Sequence, residues 1–318
     1  PRVAAPSAPG VLVVDVASLR AALEGAPSAL AVLLNLTRDQ LDRHSETRML
    51  AVRWHEALTA HPDVRVVANA DDPLVAWAAS AAANVTWVAG GGEWHEDAAA
   101  CPACGALLDR DAGNWSCVAC GLRRPHATII PGPTTLSVAG VDYPIRVSLP
   151  GRANRANLAL ATAAAGALGV PIARALAAIA GVREVSGRYA SHRVNGHEVI
   201  VLLAKNPAGW CETLDVIDEL LPDRTGTVVV AINARGPDGR DPSWLWDVPF
   251  EKLSGRAVIA TGERATDLAV RLDHAGVNYT KDTRPPLQAA GSARKDPVVI
   301  AATYTNFLAV SRELARHG

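Results

Sequence analysis

The runs ALAVLLNL at residues 29–36 and VRVVANA at residues 64–70 are apolar and of strand length, and both are typical of buried strands. Residues 39–61 between them carry apolar side chains at helical spacing, and Pro73 opens another helix just past the second run. A strand, a helix and a second strand in this order favour a parallel sheet covered by helices. The sequence therefore predicts a layered α/β domain in the first part of the chain.

The layered pattern is interrupted and then resumes. A short β-rich stretch lies at about residues 136–147, followed by an alanine-rich helix at about 154–168 and a second helix from Pro171. Further apolar runs, separated by helical segments, predict a smaller doubly wound domain in the second half; they are residues 199–203, 228–232, 258–261 and 298–301. We therefore predict two α/β domains, at residues 1–190 and 191–318.

The composition fits a compact soluble protein with two well-packed cores. The chain has 318 residues, 49% of them hydrophobic, a formal net charge of -1 and a pI near 6.9. This balance gives no electrostatic field for nucleic acid or for an anionic membrane surface, so neither is expected as a partner. No run approaches the roughly 20 apolar residues of a transmembrane helix, and no basic-then-apolar leader opens the chain, so a cytoplasmic location is expected.

Four cysteines form two CxxC knuckles, each closed by a glycine, with twelve residues between the knuckles: Cys101, Cys104, Cys117 and Cys120. At this distance four thiolates can hold one tetrahedral Zn²⁺ in a closed, structural site. We therefore predict a zinc ribbon inserted in the first domain at about residues 95–127. The alternative of disulfides requires an oxidising compartment, for which nothing else in the sequence argues. His95 and His126 bracket the ribbon and could substitute for a thiolate, whereas Cys211 is expected to be a small buried residue without a role.

The segment from Asn35 to His44 lies just past the first predicted strand, at the edge where open α/β sheets bind ligands. Its carboxylates and its imidazole, including Asp42 and His44, could bind a metal–phosphate group. The alternative is a helix start in which Asp39 lies near the positive end of the helix dipole. The residues alone leave both interpretations open.

Two further polar motifs open a predicted helix or follow a predicted strand. Asn154 and Asn157 are three residues apart near a helix start, so their amides share one face, although simple capping would explain them as well. Lys205 and Asn206 follow the strand at residues 199–203. Lys205 can supply positive charge to a phosphate, and the Asn-Pro turn after it indicates a fixed position, although a solvated lysine is the commoner case.

The segment from Asp238 to Asp247 combines two tryptophans, a proline and four charged residues, in a chain that otherwise has few aromatic residues. Tryptophan with arginine is the composition of interface anchors, so Trp244 and Trp246 are candidates for a partner surface, with core packing expected for one of them. Asp238 and Gly239 alone indicate only a turn.

Taken in order, these motifs resemble the Mur ligase family, and within it the MurT-type synthetase subunits of lipid II isoglutaminyl synthases. Residues 35–44 and 69–73 are similar to the central ATPase domain of Mur ligases, and residues 205–209 and 238–247 are similar to the MurT carboxy-terminal domain. A ribbon inside the central domain is another MurT-type feature. The resemblance covers essentially the whole chain and implies an α/β fold, with a Mur-ligase-like central domain that carries the ribbon and a smaller doubly wound domain after it.

The resemblance implies an ATP- and Mg²⁺-dependent ligase that amidates the α-carboxyl of D-glutamate in the lipid II stem peptide to D-isoglutamine. Ammonia would come from a separate class I glutaminase subunit of GatD type, and the reaction would take place at the inner face of the membrane. By the same resemblance Asp238, with Asp241 second, supports the partner's Cys-His pair, and Lys205 acts in catalysis. The residues implied in nucleotide and metal–phosphate binding are Asn154, Asn157, Arg188, Lys205, Asn206, Asp42 and His44.

Two features depart from the family pattern. The GxxxxGK[ST] loop that cradles phosphate in Mur-type ATPases does not occur in this sequence, because none of the four lysines follows a glycine. Since the single methionine is Met49, we expect that an amino-terminal segment precedes this sequence. Val13 and Val16 stand where the family has glutamates, one of them placed for Mg²⁺, and valine offers no oxygen ligand.

Two alternatives therefore stand beside the amidating synthetase. One is a different Mur-like ligase that adds an amino acid without a glutaminase, and the ribbon and the tryptophan-rich segment count against it. The other is a degenerate, ATP-incompetent relative that docks on a glutaminase and regulates it, which Val13 and Val16 favour.

Overall fold

The computed structural model describes residues 18–26, 29–38, 46–92, 94–111, 113–183, 188–194, 197–235, 241–293 and 295–316. The chain divides into two compact units, each with its own sheet. Unit 1 comprises residues up to Val147 together with Ala153–Gly181, and unit 2 comprises Ser148–Arg152 together with residues from Val182 onward. The predicted domain bounds of 1–190 and 191–318 stay predictions, since compactness alone does not define a domain that folds by itself.

The main sheet of unit 1 contains β1 (Leu30–Leu33), β2 (Arg65–Asn69), β3 (Asn84–Val88), β6 (Ile129–Pro131), β7 (Thr135–Val138) and β8 (Val141–Pro144). The strands lie side by side in the order β1-β2-β3-β6-β7-β8. The first four run parallel, and β7 and β8 continue the sheet by antiparallel pairing. The carboxyl ends of β1, β2 and β3 therefore meet at one edge of the sheet.

Helices cover both faces of this sheet; they are α1 (Leu19–Gly25), α2 (Thr47–Ala60), α3 (Pro73–Ala79), α4 (Arg152–Ala167) and α5 (Ile172–Ile179). The central strand β2 shows why its sequence is a continuous apolar run. Val66 faces a core that includes Trp54 of α2, and Val67 faces the opposite core, which includes Leu158 of α4. Because a parallel strand between two helix layers is buried on both faces, β2 needs apolar residues at successive positions.

The ribbon lies between β3 and β6, where the sequence predicts an insertion. Its centre is a two-stranded antiparallel hairpin of β4 (Asp109–Asp111) and β5 (Asn114–Ser116), preceded by a short 3-10 turn at Glu96–Ala98. The hairpin forms a sheet of its own and does not extend the main sheet. The α/β order of the main sheet is therefore continued on both sides of the insertion.

The sheet of unit 2 contains β9 (Tyr189–Val194), β10 (His197–Leu203), β11 (Thr227–Ala231), β12 (Ala257–Thr261), β13 (Tyr279–Lys281) and β14 (Val298–Ala302). The strand order is β13-β12-β11-β14-β10-β9, with only the edge strand β9 antiparallel to its neighbour. One face packs on α6 (Pro207–Leu220) and α7 (Ala265–His274), and the other on α8 (Pro286–Ala290) and α9 (Tyr304–Leu314). This is the doubly wound arrangement that the alternating runs predict.

The structure adds details that the sequence patterns did not give. Strands β3, β9 and β13 were not predicted, because few of their residues are fully buried and their apolar signal is weak. The first predicted strand ends earlier than its apolar run, at Leu33, because the residues after it turn to meet another loop. Among the described residues, no helix combines the length and the apolar character needed to span a bilayer.

Candidate functional site

The carboxyl ends of β1, β2 and β3 carry short loops, at residues 34–38, 70–72 and 89–92. Open α/β sheets bind ligands at this kind of edge, where loop amides and helix amino termini point away from the sheet. Side chains at the end of β2 and in the loop after it accept hydrogen bonds from the amides of the other two loops. We call these three loops edge 1.

Asp72 joins two of the loops and caps α3. Its Oδ1 accepts hydrogen bonds from the amides of Leu74 and Val75 at 2.9 and 3.2 Å, and its Oδ2 accepts one from the Leu36 amide at 2.7 Å. Burial raises the pKa of this carboxyl to about 6, although the three amides and the Arg110 guanidinium act to lower it. A carboxyl with a pKa near neutral at a sheet edge is a frequent feature of functional sites.

Asn69 and Asp71 tie β2 to the loop after β3. The Asn69 Oδ1 accepts from the amides of Asp71 and Gly90 at 2.9 and 3.1 Å, and the Asp71 Oδ2 accepts from the Gly91 amide at 2.6 Å. Position 90 requires glycine, since a Cβ there would lie 2.4 Å from the Asn69 side chain. The Asp71 Oδ1 also accepts from the Arg124 Nε at 2.5 Å, which links edge 1 to the ribbon.

Asp97, in the short turn that opens the ribbon, holds the loop after β1. Its carboxylate accepts from the Arg38 amide at 2.8 Å and from the Trp94 indole Nε1 at 2.7 Å, and it pairs with the Arg38 guanidinium at 3.1 Å. That guanidinium also lies 5.1 Å from the centre of the Trp94 ring, which is a cation–π geometry. Arg38 therefore places a fixed cation at edge 1, with 31% of its side chain exposed.

The four cysteines of the ribbon converge into one cluster. Their Sγ atoms all lie within 4.8 Å of one another, with the Cys101–Cys120 pair at 3.6 Å and the Cys104–Cys117 pair at 3.5 Å. All four are free thiols, unlike in the disulfide alternative. This spacing suits a tetrahedral ion whose bonds to sulfur are about 2.3 Å long. The Cys120 amide lowers the pKa of Cys117 to about 7, which favours the thiolate that binds metals, whereas the pKa values of the other three thiols are raised. The cluster is thus positioned to hold a metal ion.

The loop after β10 begins with Lys205 and Asn206, and both residues are partly buried. The Asn206 Oδ1 accepts from the Gly209 amide at 2.8 Å, so Asn206 is the N-cap of α6 and Pro207 follows as its first helical residue. Lys205 therefore lies in an ordered turn at the carboxyl end of β10. Its role toward a phosphate stays a prediction.

The two tryptophans at residues 243–247 have different environments. Trp244 is partly buried and packs on Trp210 in the core of unit 2, with ring centres 6.3 Å apart. Trp246 is 54% exposed, and the buried Arg271 guanidinium lies 5.7 Å from its ring centre. Arg271 also donates to two backbone carbonyls of this segment and to both oxygens of Glu251. One tryptophan thus packs in the core, as predicted, and the other is held at the surface.

The remaining described candidates lie on separate elements. Asn154 and Asn157 lie in the first turns of α4, Asn154 partly buried and Asn157 exposed. Arg188 is exposed, and its carbonyl pairs with the end of β10. Asp241 is exposed, and a hydrogen bond from the Ser243 amide lowers the pKa of its carboxyl.

Several predicted positions lie outside the described residues: Val13, Val16, Asp42, His44 and Asp238. Of the predicted site residues, the structure brings the four cysteines together. The functional roles assigned to all the others stay predictions.

The motifs at residues 35–44 and 69–73 contain Arg38 and Asp72, but the sequence patterns assigned neither of them a role in the site, and they did not single out Asp97. Asp72 had a usable signal, because an aspartate just before a proline at a helix start is a typical N-cap. Asp97 and Arg38 are 59 residues apart, so no local pattern joins them.

The described geometry can be compared with known proteins. Residues 203–307 match the model of the MurT ligase C-terminal family. The chain is 28% identical, over 84% of its length, to the Staphylococcus aureus (strain COL) protein named lipid II isoglutaminyl synthase (glutamine-hydrolyzing) subunit MurT, and spans 65% of that relative. It is 25% identical to the subunit of the same name from Streptococcus pneumoniae (strain ATCC BAA-255 / R6), with 96% of this chain and 74% of that protein covered.

Solved structures show the same fold. A pseudomurein peptide ligase type C from Methanothermus fervidus matches with a TM-score of 0.71 and 18% identity, over 93% of this chain and 65% of that one. MurF from Acinetobacter baumannii matches with a TM-score of 0.62 and 14% identity, over 94% and 62%. MurC, the UDP-N-acetylmuramate-alanine ligase from Thermotoga maritima, matches with a TM-score of 0.60 and 14% identity, over 90% and 59%.

These matches confirm the predicted α/β class and the Mur ligase-like fold with an inserted four-cysteine ribbon. The relatives in sequence extend over both units, whereas the family model covers part of unit 2. The resemblance inferred from the motifs is therefore confirmed: most of the chain is related in sequence to MurT subunits, and its residues 203–307 match the MurT ligase C-terminal family.

Proposed function

We propose that this protein is the synthetase subunit of a glutamine-dependent amidotransferase, which uses ATP to amidate the α-carboxyl of D-glutamate in the lipid II stem peptide to D-isoglutamine. The observation that carries the proposal is the sequence likeness to MurT subunits across both units. The match of residues 203–307 to the MurT ligase C-terminal family supports the same conclusion. The Mur ligase-like fold is compatible with it.

The proposed reaction requires that a carboxylate become electrophilic before ammonia attacks it. Bound ATP with Mg²⁺ would supply the phosphoryl group for an acyl phosphate. Edge 1 offers suitable groups of this chain, because the Arg38 guanidinium is fixed by Asp97 and can stabilise negative charge on a phosphate. Asp42 and His44 are the proposed contacts to the metal–phosphate group.

Residues on other elements complete the proposed nucleotide contacts. Asn154 and Asn157 would bind the base from the start of α4, and Arg188 and Asn206 would contribute further polar contacts. Lys205 would bring a positive charge to the phosphates from its ordered turn after β10. A lysine in such a turn has less conformational freedom to lose on binding than one on a mobile loop, which favours a fixed role.

We further propose Zn²⁺ as the ion of the ribbon. A closed set of four thiolates at tetrahedral spacing is the donor set that suits zinc in structural sites. The closed geometry leaves no open coordination position, so the ion would stabilise the ribbon and take no part in the chemistry.

The proposed partner is a class I glutaminase of GatD type, which would supply ammonia. The relatives' name as a glutamine-hydrolyzing enzyme's subunit supports a second subunit. On this chain, Asp238 would approach the partner's Cys-His pair, with Asp241 as the second candidate. Trp246 is exposed, and its ring lies against the Arg271 guanidinium. An exposed tryptophan held in this way is suited to a surface that binds another protein.

The proposed place of action is the inner face of the membrane. What supports this proposal is the name of the relatives, whose substrate, lipid II, is lipid-linked. The near-zero net charge fits an approach directed by the substrate headgroup rather than by anionic lipid.

A second candidate function is that of an ATP-incompetent relative that docks on a glutaminase and regulates it. The observation that favours it is valine at positions 13 and 16, where the family resemblance implies glutamates. Binding of ATP with Mg²⁺ to the full-length protein, measured by calorimetry, separates the two candidates, since only the synthetase requires it.

The deciding experiment combines the full-length protein with its glutaminase partner, lipid II, ATP, Mg²⁺ and glutamine. We expect mass spectrometry to show conversion of the D-glutamate α-carboxyl to the carboxamide, with no product when ATP or glutamine is omitted. Product formation from a free amino acid without the glutaminase would instead identify a different Mur-like ligase. No product with any divalent metal would end the proposal of an amidating synthetase.

A further inference from the structure

The second knuckle of the ribbon is flanked by two side chains that contact the loop after β2. Trp115 is 2% exposed and donates its indole Nε1 to the Ala70 carbonyl at 3.1 Å, while Arg124 pairs with Asp71 at 2.5 Å. The Arg124 amide also donates to the Trp115 carbonyl at 2.9 Å, which fixes the two contact residues to each other. The ribbon therefore binds two successive residues of the loop after β2.

The positions of both contact residues depend on the knuckle between them. Trp115 precedes Cys117 by two residues, and Arg124 follows Cys120 by four. The only strands of the described part of the ribbon, β4 and β5, have three residues each. A segment this small buries too little apolar surface to keep its shape without the crosslink that a bound metal provides.

The loop that the ribbon binds also orders the other two loops of edge 1. The Asp71 carboxylate accepts a hydrogen bond from the Gly91 amide, and the Asp72 carboxylate accepts one from the Leu36 amide. Just past the ribbon, Ala127 packs with Ala70 and Ala89 in a separate buried cluster. The conformation of residues 70–72 therefore determines which amides of edge 1 are satisfied and which point outward.

We propose that the metal-loaded ribbon is a brace for edge 1, in which Trp115 and Arg124 are positioning residues that set the conformation of the Ala70–Asp72 loop. Metal occupancy then controls the order of all three loops and not only the fold of the ribbon. The inference concerns loop order, and it stands or fails independently of the proposed amidation.

The test uses amide hydrogen exchange of the full-length protein, with bound metal counted in every sample. The reporter amides are those of Asp71, Leu74 and Gly91, each of which donates to a side chain of edge 1. Amides of β11 serve as an internal reference in the other unit. Trp115→Phe removes the indole donor but keeps an aromatic ring, and Arg124→Gln removes the charge of the ion pair.

We expect Trp115→Phe to speed exchange at the reporter amides about fivefold and Arg124→Gln about tenfold, while one metal ion per chain is retained and β11 is unchanged. Arg124→Lys should restore part of the protection, because it keeps the charge. The matched controls are Arg123→Gln, an exposed neighbour whose Nε donates to the Gly121 carbonyl within the ribbon, and Trp246→Phe in unit 2. Both controls should leave the reporter amides at wild-type rates.

Metal removal from the wild-type protein by a chelator gives a second, independent measurement. We expect the reporter amides to lose protection and to regain it when Zn²⁺ is added back. Wild-type exchange rates in both variants, or in the metal-depleted protein, would overturn the brace. An equal rise in exchange at β11 would overturn it as well, since the two residues would then act on stability in general.

Discussion

The two units of this protein fix the carboxyl edges of their sheets in different ways. At edge 1, partly buried aspartates accept hydrogen bonds from loop amides. The inserted ribbon contributes two further contacts, from Trp115 and Arg124, to the loop after β2. At the corresponding edge of unit 2, the loops after neighbouring strands contact each other directly. The Asn233 amide donates a hydrogen bond to the Thr303 Oγ1 at 3.0 Å, and the turn at Gly262 packs closely on the backbone of Ile232, just past β11. We call the second arrangement edge 2.

The difference determines what each edge responds to. Charged side chains hold edge 1, and in the proposed brace the cysteine cluster does so as well, so we expect the order of edge 1 to depend on pH and on metal. Neutral hydrogen bonds and close backbone packing hold edge 2. Its main carboxylate, Glu263, is 41% exposed and pairs with Arg235, so water screens that interaction. Edge 1 is therefore the edge that the surroundings can change.

Removal of a metal ligand should have the largest effect and should be confined to unit 1. Cys117→Ala is expected to abolish metal binding and to lower the free energy of unfolding of unit 1 by several kcal/mol, about the loss expected for a structural metal in a small module. Elemental analysis and calorimetry measure both. Cys211→Ala is the control, because Cys211 is a buried cysteine of unit 2 outside the cluster, and full metal content is expected there. Retained metal in Cys117→Ala would contradict the four-thiolate site.

Replacement of Arg271 tests whether unit 2 has an equally sensitive ionic element away from its edge. Arg271→Met should lower the free energy of unfolding of unit 2 by about 3–4 kcal/mol, because two backbone carbonyls and Glu251 lose their buried donor. Thermal unfolding measures the loss, and Arg312→Met on the exposed side of α9 is the control. A change below about 1 kcal/mol would show that the segment at residues 243–253 does not need Arg271.

The glycines of the two edges offer a direct comparison. A Cβ at Gly262 would lie 2.3 Å from the Ile232 carbonyl oxygen, at a φ of +93°, whereas a Cβ at Gly90 would lie 2.4 Å from the Asn69 side chain. Since backbone yields less than a side chain, we expect Gly262→Ala to cost about 3 kcal/mol and Gly90→Ala about 1–2 kcal/mol. Chemical denaturation measures both. Gly166→Ala, in an open position of α4, should be neutral or slightly stabilising. The reverse order of the two costs would contradict the comparison.

The pH response of edge 1 should be smaller than the loss expected on replacement of a metal ligand, of Arg271 or of Gly262. Since burial raises the folded-state pKa of Asp72 to about 6 from 3.8, the native state binds more protons than the unfolded state between these values. Stability from this group is therefore greatest at low pH and falls by about 2 kcal/mol as pH rises from about 4 to about 6. Asp72→Asn should remove that part of the slope.

Denaturant unfolding at a series of pH values measures the difference between wild type and Asp72→Asn. Asp241→Asn serves as the control in unit 2, because Asp241 is exposed and its pKa is lowered rather than raised. Identical slopes for wild type and Asp72→Asn would show that Asp72 is not desolvated.

The sequence predicted the parts of the fold that local patterns encode. The apolar runs at β2, β10, β11, β12 and β14 predicted buried strands, and Pro73 and Pro207 occupy first helical positions after capping residues. The patterns failed for β3 and β9, where partly exposed residues dilute the apolar signal. The local patterns also could not predict the strand order, because that order depends on which strands pair and not on the sequence of each strand alone.

The candidate site was predicted unevenly for the same reason. The convergence of all four cysteines into one cluster was predicted correctly, because each knuckle has a fixed internal spacing and only one meeting of the two knuckles is needed. Edge 1 was predicted in position, but its main residues were not, because Asp72 meets Leu36 and Asp97 meets Arg38 across 36 and 59 residues. The environments of Trp244 and Trp246 likewise followed only from the packing of Trp210 and Arg271.

By itself, then, the sequence determined that the chain forms layered α/β units with a four-thiolate knuckle pair, because periodicity and ligand spacing act over a few residues. The tertiary structure decided that the ribbon contacts the loop after β2, that Asp72 is partly buried and accepts amides of two loops, and that Arg38 is fixed at the same edge. Those outcomes depend on which distant segments meet, and a segment's burial and hydrogen-bond partners exist only once the sheet has placed its loops side by side.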